Sequence, residues 1–233
     1  MITLRQAQDR GRTNLSWLDS RHTFSFGGYR DPQNLGFGAL RVINDDRVGP
    51  GQGFDVHPHH DMEILTWVLA GSLAHRDSTG GGGVLHPGDA QVMSAGTGLT
   101  HSEFNGSQAE PVHFLQVWIL PRAKGLPPRY EQRTFPQARR TNRWCPIASP
   151  DGRDDSVMIY QDALVYVTTL ESGAGLEYHI IDDRKGWLHV ARGAVVLGPH
   201  ALREGDGVAI VGPEAVALRA EGGAEVMLFD LPG

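Results

Sequence analysis

Apolar residues in this chain come in short runs that turn residues interrupt again and again. "LGFGALRVIND" is an apolar run ending in a turn. "MEILTWVLAGSLAHRD" reads as two strands joined at Ala70-Gly71. "STGGGGVLHPGDAQVMSAG" holds a glycine-rich turn, a Pro-Gly-Asp turn and another strand, and "VHFLQVWILP" closes at Pro121. β-branched and aromatic residues bounded by Gly, Pro, Asn and Asp are the pattern of short strands. No segment carries the period of a long amphipathic helix, so an all-β fold is expected.

Residues 121 to 156 break the pattern. They are rich in proline and charge, with "ASPDG" as a turn in which Pro presets one backbone angle and Gly permits a positive one. Short strands then resume: "ALVYVTTLE", "GLEYHIID", "GWLHVARG", "AVVLG", "DGVAIVG", "AVALRAEG" and "EVMLFDL". Their spacing suits a second antiparallel sandwich or barrel. Two domains of similar plan follow, residues 1–140 and 141–233, as from an old duplication.

Composition sharpens this. Gly 30 and Pro 14 among 233 residues favour many turns. A net charge of -6 without a basic cluster argues against direct nucleic-acid binding. The polar start "MITLRQAQDRGRTN" and the absence of a long apolar run point to a cytoplasmic protein without membrane association. The single Cys145 excludes an internal disulfide framework, and no histidine motif accompanies it as a nucleophile would require. The Gly80 to Gly83 run lacks the Lys-Ser/Thr of a phosphate loop and reads as a loop tip.

The chemistry gathers in two places. "HPHHDME" puts His57 and His59 on one face of a strand, with His60 opposite. Pro58 between them suits an edge or a bulge. Glu63 shares the parity of His57 and His59 if the strand stays regular that far. "GTGLTHSEFN" repeats the device with His101 and Glu103. Three imidazoles and one carboxylate suit Fe, Ni, Co, Mn, Cu or Zn better than Ca or Mg. His22, His75, His86 and His113 have no partner motif and read as structural or exposed. Gln116 is polar within an apolar strand and needs a partner if buried, with backbone expected and a ligand the other option.

"GFDVHPHHDMEILTWVLAG" followed by "PGDAQVMSAGTGLTHSEFN" resembles the two motifs of the cupin superfamily. The first gives His-x-His, Glu63 and Gly71; the second gives Gly88, Gly96, His101 and Asn105. Together with "WLDSRHTFSFGGY" and "PRYEQRTF", they resemble the bacterial branch of the pirin family. The resemblance implies a bicupin of two double-stranded β-helix, jelly-roll-like barrels. It implies His57, His59, His101 and Glu103 as metal ligands, where other cupins would use Glu63. It also implies one divalent transition metal, Fe(II) first. Ser94 replaces the proline of the common second motif, and the span from Gly96 to His101 is longer than usual.

By the same resemblance, the expected activity is quercetin 2,3-dioxygenase: a small aromatic flavonol and dioxygen as substrates, with Glu103 or Glu63 as base. Phe26, Phe37, Leu65 and Trp118 are candidates for a pocket wall or for barrel core. The alternative is a metal-dependent, redox-sensing regulator that binds a protein partner without turnover. The C-terminal half has Val216 and Ala217 where a second-motif histidine might stand. His179, His189 and His200 lie far apart in sequence, so that half is expected to carry no metal ligands. A monomer is the default.

Overall fold

A computed structural model describes residues 1–233. Helix is limited to short turns at Ala7–Asp9, Gln137–Arg140 and Arg153–Asp155. The strands up to the proline-rich stretch are β1 (Ile2–Arg5), β2 (Gly11–Asn14), β3 (Leu18–His22), β4 (Leu40–Val48), β5 (Gly53–His59), β6 (Glu63–Ala70), β7 (Leu73–Asp77), β8 (Gly82–Leu85), β9 (Asp89–Ser94), β10 (Leu99–Asn105), β11 (Val112–Ile119) and β12 (Arg129–Thr134). Then come β13 (Cys145–Ser149), β14 (Val157–Met158), β15 (Leu164–Leu170), β16 (Gly175–Ile180), β17 (Arg184–Arg192), β18 (Ala194–Leu197), β19 (His200–Arg203), β20 (Gly207–Val211), β21 (Glu214–Ala220) and β22 (Ala224–Pro232). No helix is long and apolar enough to cross a membrane.

The chain divides into two compact units. The first barrel contains Gly11–Thr134 and Val157–Gln161; the second contains Met1–Arg10, Phe135–Ser156 and Asp162–Gly233. This differs from a single cut at residue 140 for a physical reason. β1 completes a sheet of the second barrel by pairing with β20, from Ile2 opposite Ile210 to Arg5 opposite Gly207. The segment 157–161 satisfies polar groups of the first barrel: Tyr160 N donates to Glu63 Oε2 at 3.1 Å and Met158 N to Glu131 Oε2 at 3.2 Å.

The first barrel faces a seven-stranded sheet, β12-β9-β6-β11-β4-β3-β2, against a four-stranded one, β5-β10-β7-β8. The second barrel repeats the central orders, β20-β17-β22-β15 and β16-β21-β18-β19, with every label raised by eleven. The interiors differ. The second is filled by one continuous cluster that includes Leu188, Val190, Val208, Ile210, Val216, Leu218, Val226 and Leu228. The first has an apolar group at each end instead. Val48, Val68, Leu73, Leu85, Val112 and Phe114 form one, and Ile64, Met93, Ala95 and Leu99 the other.

Between those ends runs a polar row. Gln132, Gln91, Thr66, Gln116, Asn44 and His22 stand opposite one another on six adjacent strands of the larger sheet. Side chains directly opposite in an antiparallel pair share a face. The whole row therefore enters the barrel, where each buried polar group needs a partner.

Candidate metal centre

Two strands of the smaller sheet bring the histidines together. His57 on β5 stands opposite His101 on β10, and a register shift between His101 and Glu103 leaves Phe54 opposite Glu103. The extra residue is a bulge, which turns His57 so that its Nδ1–H donates to the Asp55 carbonyl at 2.7 Å. β5 is an edge strand, and so Pro58 costs no ladder bond on its outer side.

Ring nitrogens of His57, His59 and His101 lie within 4.8 Å of one another. His59 Nε2 and His101 Nε2 are 3.0 Å apart. Two donors at a right angle around one ion, each about 2.1 Å from it, have about that separation. Burial lowers the His59 imidazole to about 4 and that of His101 to about 2, with the neighbouring histidines acting in the same direction. Both rings are neutral at physiological pH and keep the lone pairs a cation needs. The residues present therefore fit a first-row transition metal, which favours imidazole.

Glu103, one step along β10, is buried. Gln116 Nε2 donates to its Oε2 at 2.6 Å, and Thr66 Oγ1 to its Oε1 at 3.4 Å. Burial raises this carboxyl to about 7 against both hydrogen bonds. Gln116 Oε1 accepts from Trp118 Nε1 at 3.1 Å, so one amide ties Trp118 to Glu103. The partner of Gln116 is thus a side-chain carboxylate rather than backbone.

His57, His59 and Glu103 border a cavity of about 240 Å³. Leu18, Phe26, Phe54 and Trp118 supply its apolar wall; His22, Asn44, Asp46 and Gln116 supply polar groups. Asp46 is buried, with Oδ1 outside hydrogen-bond reach of any protein group. Burial raises its carboxyl to about 7, opposed by a Ser20 hydrogen bond and aided by Asp45 and Glu103. His22 donates from Nδ1 to Asn44 Oδ1 at 2.8 Å and accepts from Thr13 at 2.9 Å.

Other expected positions fall elsewhere. Glu63 does not join the histidines. The strand parity is lost at the turn where Asp61 takes φ 48, and Glu63 opens β6 on the face opposite Thr66. There its Oε2 accepts from Ser94 Oγ at 2.6 Å and from Tyr160 N. Ser94, in the place of the motif proline, is that donor. Phe37 and Leu65 do not border the cavity, and Leu65 is core on the Glu63 face. The His60 side chain is 83% exposed beside Asp61. His113 donates to Asp45 at 2.7 Å, and Asn105 donates to the carbonyls of Val48, Gly49 and Glu110.

Sequence reasoning did not single out Asp46, and it read His22 and His75 as structural or exposed. His75 is buried, 5.3 Å from the His101 ring and stacked on Tyr130 at 5.1 Å. Its signal was available: His75-x-Asp77 on β7 has the spacing of His101-x-Glu103. Asp46 and His22 gave no local signal, because only register places them at the cavity.

A barrel of two antiparallel sheets, with a histidine cluster reached from β5 and β10 and a second barrel of the same order, defines a two-barrel cupin. Family comparison narrows this. Residues 3–119 match the family model for pirin, and residues 146–231 match that of the quercetinase C-terminal cupin domain. The chain belongs to the pirin family. It is 46% identical over 232 residues to "Quercetin 2,3-dioxygenase" of Escherichia coli strain K12, covering 100% of this chain and 99% of that protein. Among solved structures it is similar to bacterial pirin YhhW of Escherichia coli in complex with nickel(II), with TM-score 0.94 and 45% identity, over 100% of this chain and 99% of that one. A second crystal structure of YhhW gives 0.95 and 46%, over 100% and 98%.

Proposed function

We propose that the protein is a metal-dependent dioxygenase that opens the ring of a flavonol such as quercetin, with His57, His59, His101 and Glu103 holding one divalent metal. The observation that carries this is the meeting of three imidazoles, two of which, His57 and His59, border the same cavity as the buried carboxylate of Glu103. The Escherichia coli relative named for this activity supports it across the full chain. Fe(II) and Ni(II) both suit the donor set.

A bound metal supplies Lewis acidity, which lowers the pKa of a coordinated substrate hydroxyl. The protein does the rest. Gln116 and Thr66 fix Glu103, so its carboxylate is aimed before substrate arrives. A cation beside Glu103 favours the ionised form, which is the form that accepts a hydroxyl proton. Phe26, Phe54 and Trp118 offer aromatic faces to a flat ring and exclude water from it. The cavity is just under the roughly 300 Å³ at which small-molecule pockets usually begin, so a planar guest fits with little spare room.

Anaerobic reconstitution with Fe(II) or Ni(II), followed by an oxygen electrode and carbon monoxide detection with quercetin, tests this. The loaded protein consumes oxygen and releases carbon monoxide, and His101→Ala does neither. Tight metal binding with no oxygen uptake on any flavonol would favour the regulator that binds a protein partner.

A further inference from the structure

His75 and Asp77 line a surface cleft with Gly80, Gly81, Gly82 and Gly83, and neither borders the cavity next to His57 and His59. Both ring nitrogens of His75 are buried and out of hydrogen-bond reach of every protein group. The same holds for Asp77 Oδ2, Gln91 Nε2 and His101 Nδ1. Buried polar atoms rarely lack a partner, and where protein supplies none an ordered water does.

Register brings these atoms together. Across β10 and β7, His101 stands opposite Asp77 and Glu103 opposite His75. Tyr130 lies parallel to the His75 ring and donates to Gln132 Oε1 at 2.8 Å, with Gln91 Oε1 3.4 Å from the same hydroxyl. A Cβ at Gly81 would overlap both Asp77 Oδ2 and Tyr130, so that oxygen lies beside the tyrosine. The other oxygen of Asp77 is occupied by Thr79 N at 2.8 Å, Thr79 Oγ1 at 2.6 Å and Gly81 N at 3.0 Å. One carboxylate thus ties down the glycine loop and also faces the His101 side of the sheet.

A histidine that gives one nitrogen to a metal nearly always donates its other N–H to an acceptor. His101 Nε2 is the nitrogen that faces His59, which leaves Nδ1–H as the buried donor. Water matches the whole set. It accepts from His101 and Gln91 and donates to Asp77, and neutral His75 can do one of each.

On the reading of the three histidines as a metal centre, we propose that His75 and Asp77 hold buried water that accepts the Nδ1–H of His101, which makes His75 a positioning residue for that centre. Gly81 is part of the device, because a side chain there would displace the inward oxygen of Asp77.

A crystal structure of the metal-free, full-length protein tests the water directly. It should lie within hydrogen-bond distance of His101 Nδ1 and of His75 or Asp77. Co(II) titration against a competing chelator, with the d–d spectrum recorded, tests the consequence. His75→Phe should weaken Co(II) binding about 10- to 100-fold and shift the d–d bands. His75→Gln, which keeps a donor and an acceptor, should recover most of that loss. Asp77→Asn keeps an oxygen for the loop and turns the inward acceptor into a donor, so it should also weaken binding. A protein atom bonded to His101 Nδ1 in the crystal would overturn the proposal. So would wild-type affinity and spectrum in His75→Phe or, if that variant does not fold, in Asp77→Asn. Failure of the wild type to bind Co(II) would count against the metal centre, and the crystallographic water would then decide this proposal alone.

Discussion

Gln116 is polar in an apolar strand because its amide holds a buried carboxylate. A hydrogen bond to a charged group contributes about 1.5–3 kcal/mol. Gln116→Leu should therefore lower the urea stability of the metal-free protein by about that amount at pH 8, where Glu103 is ionised. The loss should be smaller at pH 5, where the carboxyl is protonated. A pH profile of the unsubstituted, metal-free protein follows from the same pocket. His59 and His75 are lowered to about 4 and His101 to about 2, chiefly by burial. Below 6.5 the unfolded chain binds protons these rings refuse, so stability rises as pH climbs toward 6.5. Glu103 and Asp46 are raised to about 7, again chiefly by burial. There the folded state keeps protons the unfolded chain has lost, so stability falls as pH rises through 7. The two effects oppose each other below 6.5, and their sum gives a maximum near pH ~6.5 with a decline toward pH 8. Melting temperatures across that range check it; a flat course from pH 6 to 8 would contradict it.

At the scale of elements, β5, β10 and β7 each carry two chemically active side chains at i and i+2 on the inner face: His57 and His59, His101 and Glu103, His75 and Asp77. Alternation made the first two pairs legible in the sequence. Where alternation failed, at the Asp61 turn, the inference about Glu63 failed with it. The loop entering β10 is set by Gly96, whose φ is 48 and whose absent Cβ lets the Leu126 carbonyl approach. Asp61 N donates to the Gly96 carbonyl at 2.8 Å, so the same residue fixes the turn after His59 and the approach to His101. Gly96→Ala should cost about 1–3 kcal/mol through backbone strain and overlap. It should also weaken Ni(II) binding, because it displaces both flanks of the cluster. Urea unfolding and metal titration measure the two effects separately.

For the whole molecule, the duplicated strand order shows that one chain plan serves two interiors. Aliphatic side chains fill the second barrel, whereas polar residues across the middle of the first leave room for a cavity. A chain ending at residue 140 would lack Tyr160 and Met158, leaving Glu63 with Ser94 as its remaining hydrogen-bond donor. It should melt well below the full chain, and restoring residues 141–161 should recover part of the loss, as calorimetry would show. Removing Met1–Arg5 should destabilise the second barrel, because β20 loses its edge partner, while metal affinity stays unchanged. The sequence by itself determined the strand-rich fold, the two-barrel plan and the shared strand faces of His57 with His59 and of His101 with Glu103, because turn chemistry and two-residue alternation are local properties. The family resemblance, also read from sequence, favoured Glu103 over Glu63. Tertiary structure decided what depends on register between distant strands. It placed Glu103 rather than Glu63 in the cavity, set Gln116, Asp46 and His75 around the cluster, and gave the first ten residues to the second barrel. A strand's own sequence fixes which side chains share a face, but only pairing fixes what that face meets.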